Sequence, residues 1–481
     1  MMLLHRRKDP QEQLQQSLQR QKTWLEKLLA RFRPGQILAL SFLIVILIGA
    51  LLLSMPFANQ NGGKTFLDHL FTAVSAVCVT GLSTVTVAEQ YTLFGKIVMI
   101  FLMEIGGLGL MMFVALVMML NRQKMSMQEK RMFATASGKA GYDNVPHYIK
   151  RIFTYTAVFE GIGFLLLSIR FTKDFGTARG LFYALFTAVS AFTNAGFDPF
   201  ATDSLVRYAR DPLVSLTVMG LITVGGLGFV VWFELHDFLE RRHKGEKYLC
   251  FEHLSVHARI VLKASLCLFL SGTLIFLILE WNNPLTIGEE PFAYKLLIAA
   301  FQSVTLRTAG FATVAMGKCT KASILAMCFF MIIGGSPGGT AGGLKTTTAV
   351  IVASGIRHTL RDDQEQPHLL KRSITRDLLF KASSLVFLYL GFLFLGLVLL
   401  LITDGSHVET SALIFEEVSA IATVGLTAGI TGTMSVPGRI ILMILMYIGR
   451  IGPFVIISIF GRSEEGKRSH LKYPPCDIMI G

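Results

Sequence analysis

The chain is poor in charged residues. Asp, Glu, Lys and Arg make up 16% of its 481 residues, against about 25% in soluble proteins. Together with a hydrophobic content of 52%, this scarcity excludes an ordinary soluble globular protein and indicates a membrane protein. The net charge of +13 would suit nucleic acid, but the basic residues lie in loops between apolar runs, so we expect no nucleic-acid partner.

Cysteine is scarce too, and no metal-ligand or catalytic cluster is visible. The six cysteines form no CxxC and no paired spacing with histidine, which excludes a disulfide framework or a zinc site. No grouping of Ser, His and Asp lies beside the apolar runs, so we predict no enzymatic activity and no covalent cofactor. The N-terminal MMLLHRRKDPQEQ lacks an apolar core and is not expected to be a cleaved signal peptide.

Long apolar runs define the predicted membrane spans, because a helix needs about 20 apolar residues to cross a bilayer. The runs that are long enough are 36–56, 93–120, 151–169, 213–233, 259–280, 322–356, 378–402 and 438–460. The run at 322–356 is interrupted by GGSPGGTAGGLK. Four shorter apolar segments cannot span and are predicted to be re-entrant helices. They are 66–77, 181–192, 292–305 and 408–421.

Basic residues are distributed unevenly between the two predicted faces. The termini and the loops at 121–151, 234–263 and 355–381 hold 31 of the 45 Lys and Arg residues. Because cytoplasmic loops carry the excess of Lys and Arg, both termini are predicted to be cytoplasmic. The tail 1–34 places leucines on one helical face. This pattern is typical of an interfacial anchor, with a docking helix for a soluble partner as the alternative.

The strongest pattern is internal repetition. Four similar segments carry glycines spaced by 115, 114 and 115 residues. The segments are FTAVSAVCVTGLST at 71–84, FTAVSAFTNAGFDP at 186–199, FQSVTLRTAGFAT at 301–313 and FEEVSAIATVGLTAG at 415–429. A second glycine-rich landmark follows each one, at 106–109, 225–228, 334–336 and 449–452. We therefore predict one unit of span, re-entrant helix, extended loop and span, repeated four times.

Two spans per unit make every copy enter and leave on the same side, so the copies are parallel around a pseudo-fourfold axis. This arrangement differs from the inverted repeats of many secondary transporters. The predicted fold is an all-α polytopic membrane protein whose re-entrant helices surround a central pore. The predicted divisions are a tail at 1–34, repeats at 35–121, 150–234, 257–357 and 375–461, and a cytoplasmic C-terminus at 462–481.

The loop after each re-entrant helix has the composition of a selectivity filter. Rings of backbone carbonyls can hold a dehydrated monovalent cation, glycine permits the backbone geometry, and the preceding helix adds partial negative charge at its carbonyl end. The tripeptide at 423–425 reproduces the TVG of potassium-channel filters, and the other three are degenerate versions. The predicted potassium-binding residues are Val79, Thr80, Gly81, Asn194, Ala195, Gly196, Thr308, Ala309, Gly310, Thr423, Val424 and Gly425.

With these motifs the sequence resembles the KtrB/TrkH/HKT superfamily of potassium transporters, and most of all the bacterial KtrB branch, over residues 35–481. The resemblance implies potassium uptake across the bacterial cytoplasmic (inner) membrane, a homodimer, and a cytosolic ring of nucleotide-binding RCK subunits of KtrA or TrkA type. The nucleotide then belongs to the partner, and a dependence on sodium is left open. In this family, serine in place of the first filter glycine goes with sodium selectivity, so Gly81 favours potassium.

The interruption in the run at 322–356 resembles the family's intramembrane gating loop. Its glycines, serine and proline cannot hold a regular helix, and the alternative is a harmless kink. A charge at the depth of Arg450 is costly unless it is paired or faces water. Arg450 resembles the family's pore-facing arginine, with pairing to Glu104 or Glu160 as the alternative. The predicted gate consists of Gly334, Gly335, Ser336, Pro337, Gly338, Gly339, Thr340, Gly342, Gly343, Lys345 and Arg450.

Other charged residues near the pore receive separate predictions. Lys345 is long enough to reach the cytoplasmic surface, and Arg307 is expected to brace the third filter strand from behind. Four carboxylates are predicted near the outer mouth, as solvated loop charges that could attract cations. They are Asp68, Asp198, Glu416 and Glu417.

Two other functions stay open. One is a sodium-conducting protein of the same fold, because glycine counts do not fully determine filter chemistry. The other is a secondary transporter with a midplane site, which would need inverted repeats and intramembrane charge pairs. A voltage-gated channel would need a span with regularly spaced Arg or Lys, and an ATP-driven pump would need a large cytosolic domain. The sequence has neither.

Overall fold

The computed structural model describes residues 34–109, 112, 145–200, 204–244, 251–361 and 367–452. The predicted N-terminal tail and the C-terminal segment 462–481 lie outside these residues, as does most of the basic loop at 121–151. The longer helices are α1 (Pro34–Ser54), α2 (Phe66–Cys78), α3 (Leu93–Leu108), α4 (Val145–Phe175), α5 (Thr177–Phe192), α6 (Pro212–Leu227), α7 (Phe229–His243), α8 (Val256–Glu280), α9 (Phe292–Thr305), α10 (Lys321–Ile332), α11 (Thr346–Leu360), α12 (Arg376–Asp404), α13 (Thr410–Ile421) and α14 (Val436–Ile451).

Short elements fill the loops between these helices. The one-turn helices are Pro56–Ala58, Val87–Gln90, Val206–Tyr208, Phe251–His253, Met316–Lys318 and Thr431–Thr433. Two-residue strands, β1 (His368–Leu369) and β2 (Arg372–Ser373), form an antiparallel hairpin. The fold is therefore helical throughout the described residues apart from this hairpin.

The helices follow the predicted order of a long helix, a short helix and a second helix, four times over. The repeats are α1–α3, α4–α7, α8–α11 and α12–α14. The short helices α2, α5, α9 and α13 are the predicted re-entrant segments, and α9 has the predicted bounds 292–305. The predicted all-α fold of four parallel repeats is confirmed.

The first helix of each repeat is the one that is long enough to cross a membrane. Within the described residues, four single helices meet that length and apolarity, Gly35–Ser54, His147–Phe175, Val256–Glu280 and Arg376–Asp404, and the bent pair α6 and α7 makes a fifth. Leucines on their outer faces stay exposed; Leu51 is 56% exposed and Leu270 is 57% exposed. Such apolar exposure is what a lipid-facing surface requires.

The second helices correct the sequence prediction, because they end or break where hydropathy continues. The predicted span 93–120 is helical only to Leu108 before Gly109, and the predicted span 438–460 only to Ile451 before Gly452. The predicted span 213–233 breaks at Gly228, where α7 leaves α6 at 100°. These three glycines have φ values of +88°, +95° and +90°, a backbone conformation that glycine adopts without strain and that stops an α-helix.

The first glycine of each glycine-rich landmark serves packing instead. A Cβ atom placed on Gly106 would lie 2.2 Å from the carbonyl oxygen of Val77, and one on Gly225 would lie 2.0 Å from that of Phe192. In the fourth repeat the same measure from Gly449 to Ile421 is 1.9 Å. The second helix of these repeats therefore lies directly against the last turn of its own re-entrant helix, and any side chain there would prevent the contact.

The buried core surrounds the re-entrant helices. The phenylalanine that opens each repeated segment is almost fully buried, at 0% exposure for Phe71, Phe186 and Phe415 and 1% for Phe301. Its burial anchors each short helix among the longer ones. The four re-entrant helices are consequently held at equivalent positions, which places the loops that follow them together.

Polar contacts fasten the first helix of a repeat to the second. Glu280 at the end of α8 accepts hydrogen bonds from the backbone N–H and the hydroxyl of Thr320, at 2.8 and 2.9 Å. Asp404 at the end of α12 does the same for Ser435, at 2.7 and 2.9 Å. Thr320 and Ser435 are the N-caps of α10 and α14. The shared arrangement is a further sign that the repeats are copies of one unit.

Candidate ion pathway

The four extended loops form a closed ring. A Cβ atom placed on Gly81 would lie 2.7 Å from the carbonyl oxygen of Ala195, and one on Gly196 would lie 2.8 Å from that of Ala309. The ring continues from repeat 3 to repeat 4 and closes from repeat 4 to repeat 1. The last two distances are 2.7 Å from Gly310 to the oxygen of Val424 and 1.9 Å from Gly425 to that of Thr80. Each loop therefore faces the carbonyls of the next one.

The residue that starts each loop has an unusual backbone conformation. Val79, Asn194, Thr308 and Thr423 have φ values of +56°, +61°, +65° and +52°. The left-handed region costs a non-glycine residue roughly 1–2 kcal/mol, so its occurrence at all four equivalent positions indicates a backbone path that the fold imposes. This turn ends each re-entrant helix and starts the extended strand at the axis.

Serine hydroxyls support two of the strands. Ser75 Oγ accepts a hydrogen bond from the N–H of Gly81 at 3.0 Å, and Ser419 Oγ accepts one from Gly425 at the same distance. The third repeat differs, because it has one residue fewer between its phenylalanine and its glycine. There the Thr305 hydroxyl donates to the carbonyl of Phe311 at 2.7 Å. The ring is thus approximately rather than strictly fourfold.

The structure brings all twelve predicted filter residues together in this ring. Those that carry side chains are buried, at 1% exposure for Val79 and 0% for the others. The backbone, rather than any charged side chain, supplies the polar groups that are concentrated here. Such a ring can coordinate a dehydrated monovalent cation through oxygen atoms without chemical catalysis.

The predicted gating loop, between α10 and α11, is an ordered excursion with joined ends. Ile333 and Leu344 form a parallel bridge, and the N–H of Gly334 donates to the carbonyl of Leu344 at 2.9 Å. The hydroxyls of Ser336 and Thr346 lie 3.0 Å apart. The chain therefore leaves the α10 axis and returns to nearly the same point before α11 begins.

Backbone hydrogen bonds connect this loop to the helix break of the second repeat. The N–H groups of Ser336 and Thr340 donate to the carbonyls of Gly226 and Gly225, at 3.0 and 3.1 Å. The carbonyl of Gly338 in turn accepts from the first residue of α7 at 3.1 Å. The glycines of the second landmark therefore present the backbone that the loop binds.

The far side of the loop contacts the fourth filter strand. A Cβ atom placed on Gly342 would lie 2.0 Å from Thr423 Oγ1, and one on Gly343 would lie 3.1 Å from the carbonyl oxygen of Ala422. Because these contacts meet the first residue of the strand, the loop lies against the end of the ring that adjoins the re-entrant helices. Glycine at these positions permits the approach.

Arg450 joins the loop to two other repeats. Its guanidinium donates to the carbonyls of Thr340, Gly106 and Gly107, the last at 3.1 Å. Within the described residues, its acceptors are these carbonyls rather than Glu104 or Glu160, the alternative partners considered from the sequence. Repeats 1, 3 and 4 therefore meet at this one side chain.

Two other basic side chains also point inward. Lys345 donates to the carbonyl of Ala341 at 2.7 Å and does not extend to the surface. Arg307 is 7% exposed and donates to the carbonyl of Ser265 at 3.2 Å, which agrees with a brace behind the third strand. Neither forms an ion pair with a carboxylate in the described part of the chain.

The four acidic residues near the ring correct the prediction of solvated charges. Glu416 and Glu417 lie on α13 and are 0% exposed, and Asp68 on α2 is 6% exposed. Asp198 is partly buried and accepts from the N–H of Phe200 at 3.1 Å. These carboxylates are structural groups of the re-entrant helices and loops.

Glu416 and Asp68 illustrate these structural roles. Glu416 accepts hydrogen bonds from the hydroxyls of Thr427 and Thr431 in the loop beyond the fourth strand. Asp68 pairs with Arg439 of α14 at 2.9 Å. This pair, which the sequence pattern did not reveal, links repeat 1 to repeat 4 and closes the ring of repeats.

Comparison with known proteins agrees with this architecture. The sequence model of the TrkH family, described as a cation transport protein, matches residues 15–468. Ktr system potassium uptake protein B of Bacillus subtilis is 36% identical over 94% of this chain and 97% of its own length. The protein of the same name in Vibrio alginolyticus is 37% identical over 93% and 94%. The potassium/sodium uptake protein NtpJ of Enterococcus hirae is 35% identical over 94% and 98%.

A solved structure has the same fold. The potassium transporter TrkH from Vibrio parahaemolyticus superposes with a TM-score of 0.66 over 88% of this chain and 84% of its own, at 17% identity. Fold, ring and sequence together define a multi-pass cation transport protein. The chain belongs to the TrkH family, as its motifs predicted, and the prediction that it is not an enzyme is confirmed by the transporter relatives.

Proposed function

We propose that the protein takes up potassium through the ring of four loops. The observation that carries this proposal is that each of four glycines faces the carbonyl of the next strand around one axis. The names of the relatives in Bacillus subtilis and Vibrio alginolyticus support potassium as the ion. The twelve predicted filter residues are the proposed potassium ligands, chiefly through their backbone carbonyls.

The re-entrant helices contribute to the electrostatics of the ring. Each of them ends immediately before its strand, so four carbonyl ends converge on the axis. A helix carries about half a negative charge at that end, which attracts a cation before any ligand oxygen touches it. Potassium therefore loses its water to an already oriented set of oxygens, and no enzymatic step is needed.

The loop at 334–345 is the proposed gate. It is hydrogen-bonded to the second repeat, rests on Thr423 of the fourth, and is held by Arg450. A cation leaving the ring would meet this backbone, so conduction requires the loop to move. Breaking its bonds to three repeats would release it, which supports a gate rather than a fixed kink.

The proposed setting is the cytoplasmic (inner) membrane of a bacterium, with both termini cytoplasmic. The basic loops at 121–151, 234–263 and 355–381 would then face the cytosol, where a ring of RCK subunits of KtrA or TrkA type could dock and supply nucleotide control. A homodimer is proposed from the same resemblance. Sodium activation is compatible with the name of the relative in Enterococcus hirae.

The test is uptake of radioactive rubidium into proteoliposomes, with potassium and sodium as competitors. We expect potassium to compete and sodium not to. Gly310→Ser should reduce the preference for potassium over sodium, because its Cβ would press on the carbonyl of Val424 at 2.7 Å. Equal competition by sodium in the wild type would instead support the sodium-conducting alternative. An unchanged preference in the variant would contradict the carbonyl ring.

A further inference from the structure

Glu417 lies in the re-entrant helix α13 and takes no part in the ring. Its side chain faces α12, where a Cβ atom placed on Gly396 would lie 2.7 Å from Glu417 Oε1. The absence of a side chain at Gly396 therefore makes room for a carboxyl group between the two helices. The residue is 0% exposed.

The surroundings of this carboxyl group supply no donor. Neither oxygen of Glu417 accepts a hydrogen bond from the described residues, and the hydroxyl of Tyr389, also buried on α12, lacks a partner there too. The Cys328 thiol of α10 is the other titratable group within electrostatic reach. A carboxyl, a phenol and a thiol thus meet in one buried place.

Compensating cations do not come from the helices that pack on α13. These helices are α10, α12 and α14. On α10, Lys321 pairs with the exposed Glu409 at 2.8 Å. On α14, Arg439 pairs with Asp68 and Arg450 donates to backbone carbonyls.

The remaining charged groups of these elements are also engaged elsewhere or exposed. Asp404 of α12 caps α14, and the neighbouring Glu416 accepts hydrogen bonds from Thr431. Lys381, near the start of α12, is exposed. No positive side chain among the described residues therefore offsets a charge on Glu417.

An ionised carboxylate buried without a partner is strongly unfavourable, and such a group ordinarily becomes neutral. We propose that Glu417 binds a proton in the folded protein and forms a proton site behind the fourth re-entrant helix. Repeats 1 and 2 have Ala73 and Ala188 at this position, and repeat 3 has Ser303. The site is therefore a property of the fourth repeat.

Loss of this proton would act on the adjacent strand, an effect that rests on the proposed function. Glu417 is four residues from Ile421, where α13 ends and directs its negative end at the ring. An additional negative charge there would make the ring hold cations more tightly and release them more slowly. Rubidium uptake should then show a lower KM and a lower maximal rate at alkaline pH.

Infrared spectroscopy of the purified full-length protein tests the proton independently of transport. We expect a protonated-carboxyl band at neutral pH that is lost in Glu417→Gln and retained in Glu409→Gln, a control on the exposed carboxylate at the start of the same helix. Tyr389→Phe should shift the band without removing it. That second variant keeps the test valid if Glu417→Gln does not fold.

Uptake measured against pH completes the test. Glu417→Gln should have a flat profile over the alkaline range in which wild-type KM falls, whereas Glu409→Gln should follow the wild type. A band that persists in Glu417→Gln would overturn the proposal. Sodium-dependent thermal stabilisation that disappears in Glu417→Gln would also overturn it, because a metal ion would then occupy the site. A confirmed band with no rubidium uptake would contradict the proposed function and not the proton site.

Discussion

The ring of strands and the layer that adjoins it are built on opposite plans. In the ring, all four strands begin with a left-handed residue and contain a glycine of positive φ. In the adjoining layer, two second helices end at Gly109 and Gly452, one bends by 100° at Gly228, and one gives way to the loop at 334–345. Symmetry is kept where a central ion must be surrounded evenly, and it is lost where a single moving part suffices.

The difference has a physical basis. A cation on the axis is held best when four similar strands share its coordination, so a change in one strand weakens the whole site. A gate needs two arrangements of similar free energy, and one loop bound by replaceable backbone hydrogen bonds provides them. Substitutions in the two layers should therefore fail in different ways.

The largest effect is expected from breaking the ring at its tightest contact. Gly425→Ser places a side chain 1.9 Å from the carbonyl oxygen of Thr80 and puts a serine at φ +90°. We expect rubidium uptake to be almost abolished, and more severely than in Gly81→Ser, for which the corresponding distance is 2.7 Å. Gly432→Ala is the control, because its nearest neighbour would lie 3.7 Å away. Equal uptake by Gly425→Ser and the wild type would refute the close ring.

Releasing the gate should have the next largest effect, in the opposite direction. Deleting 336–343 removes most of the loop while its ends stay joined by the hydrogen bond from Gly334 to Leu344. We expect faster rubidium uptake by the proteoliposomes with unchanged preference for potassium. Slower uptake by a folded deletion variant would favour the kink interpretation.

Arg450→Gln offers a smaller change at the same place. It removes charge-assisted hydrogen bonds to the carbonyls of Thr340, Gly106 and Gly107, each worth about 1.5–3 kcal/mol. Uptake should rise, though less than in the deletion variant, because the backbone bonds to the second repeat remain. Lys321→Gln, which breaks an exposed ion pair, is the matched control. Uptake at or below the wild-type rate in Arg450→Gln would show that this arginine does not hold the gate closed.

The sequence predicted the repeating features better than the individual ones. Glycine spacing revealed four repeats and the ring, because the same backbone path is encoded four times. Hydropathy missed the break at Gly228, since the apolar run continues across it. Burial of Glu416 and Glu417 was also missed, because residues on either side of a re-entrant helix look alike in the sequence. The acceptors of Arg450 are backbone carbonyls, which have no sequence signature.

The smallest effect is expected where the ring of repeats closes on itself. Arg439→Gln removes the ion pair with Asp68, whose two side chains are 19% and 8% exposed. Asp68 keeps the hydrogen bonds from Thr65 and Thr84, so it is not left without partners. We therefore expect a loss of about 1–3 kcal/mol of stability, seen as a lower melting temperature in detergent. Rubidium selectivity should stay as in the wild type, because the pair fastens helices and touches no strand of the ring. A changed selectivity would mean that the joint between repeats 1 and 4 sets the geometry of the ring itself.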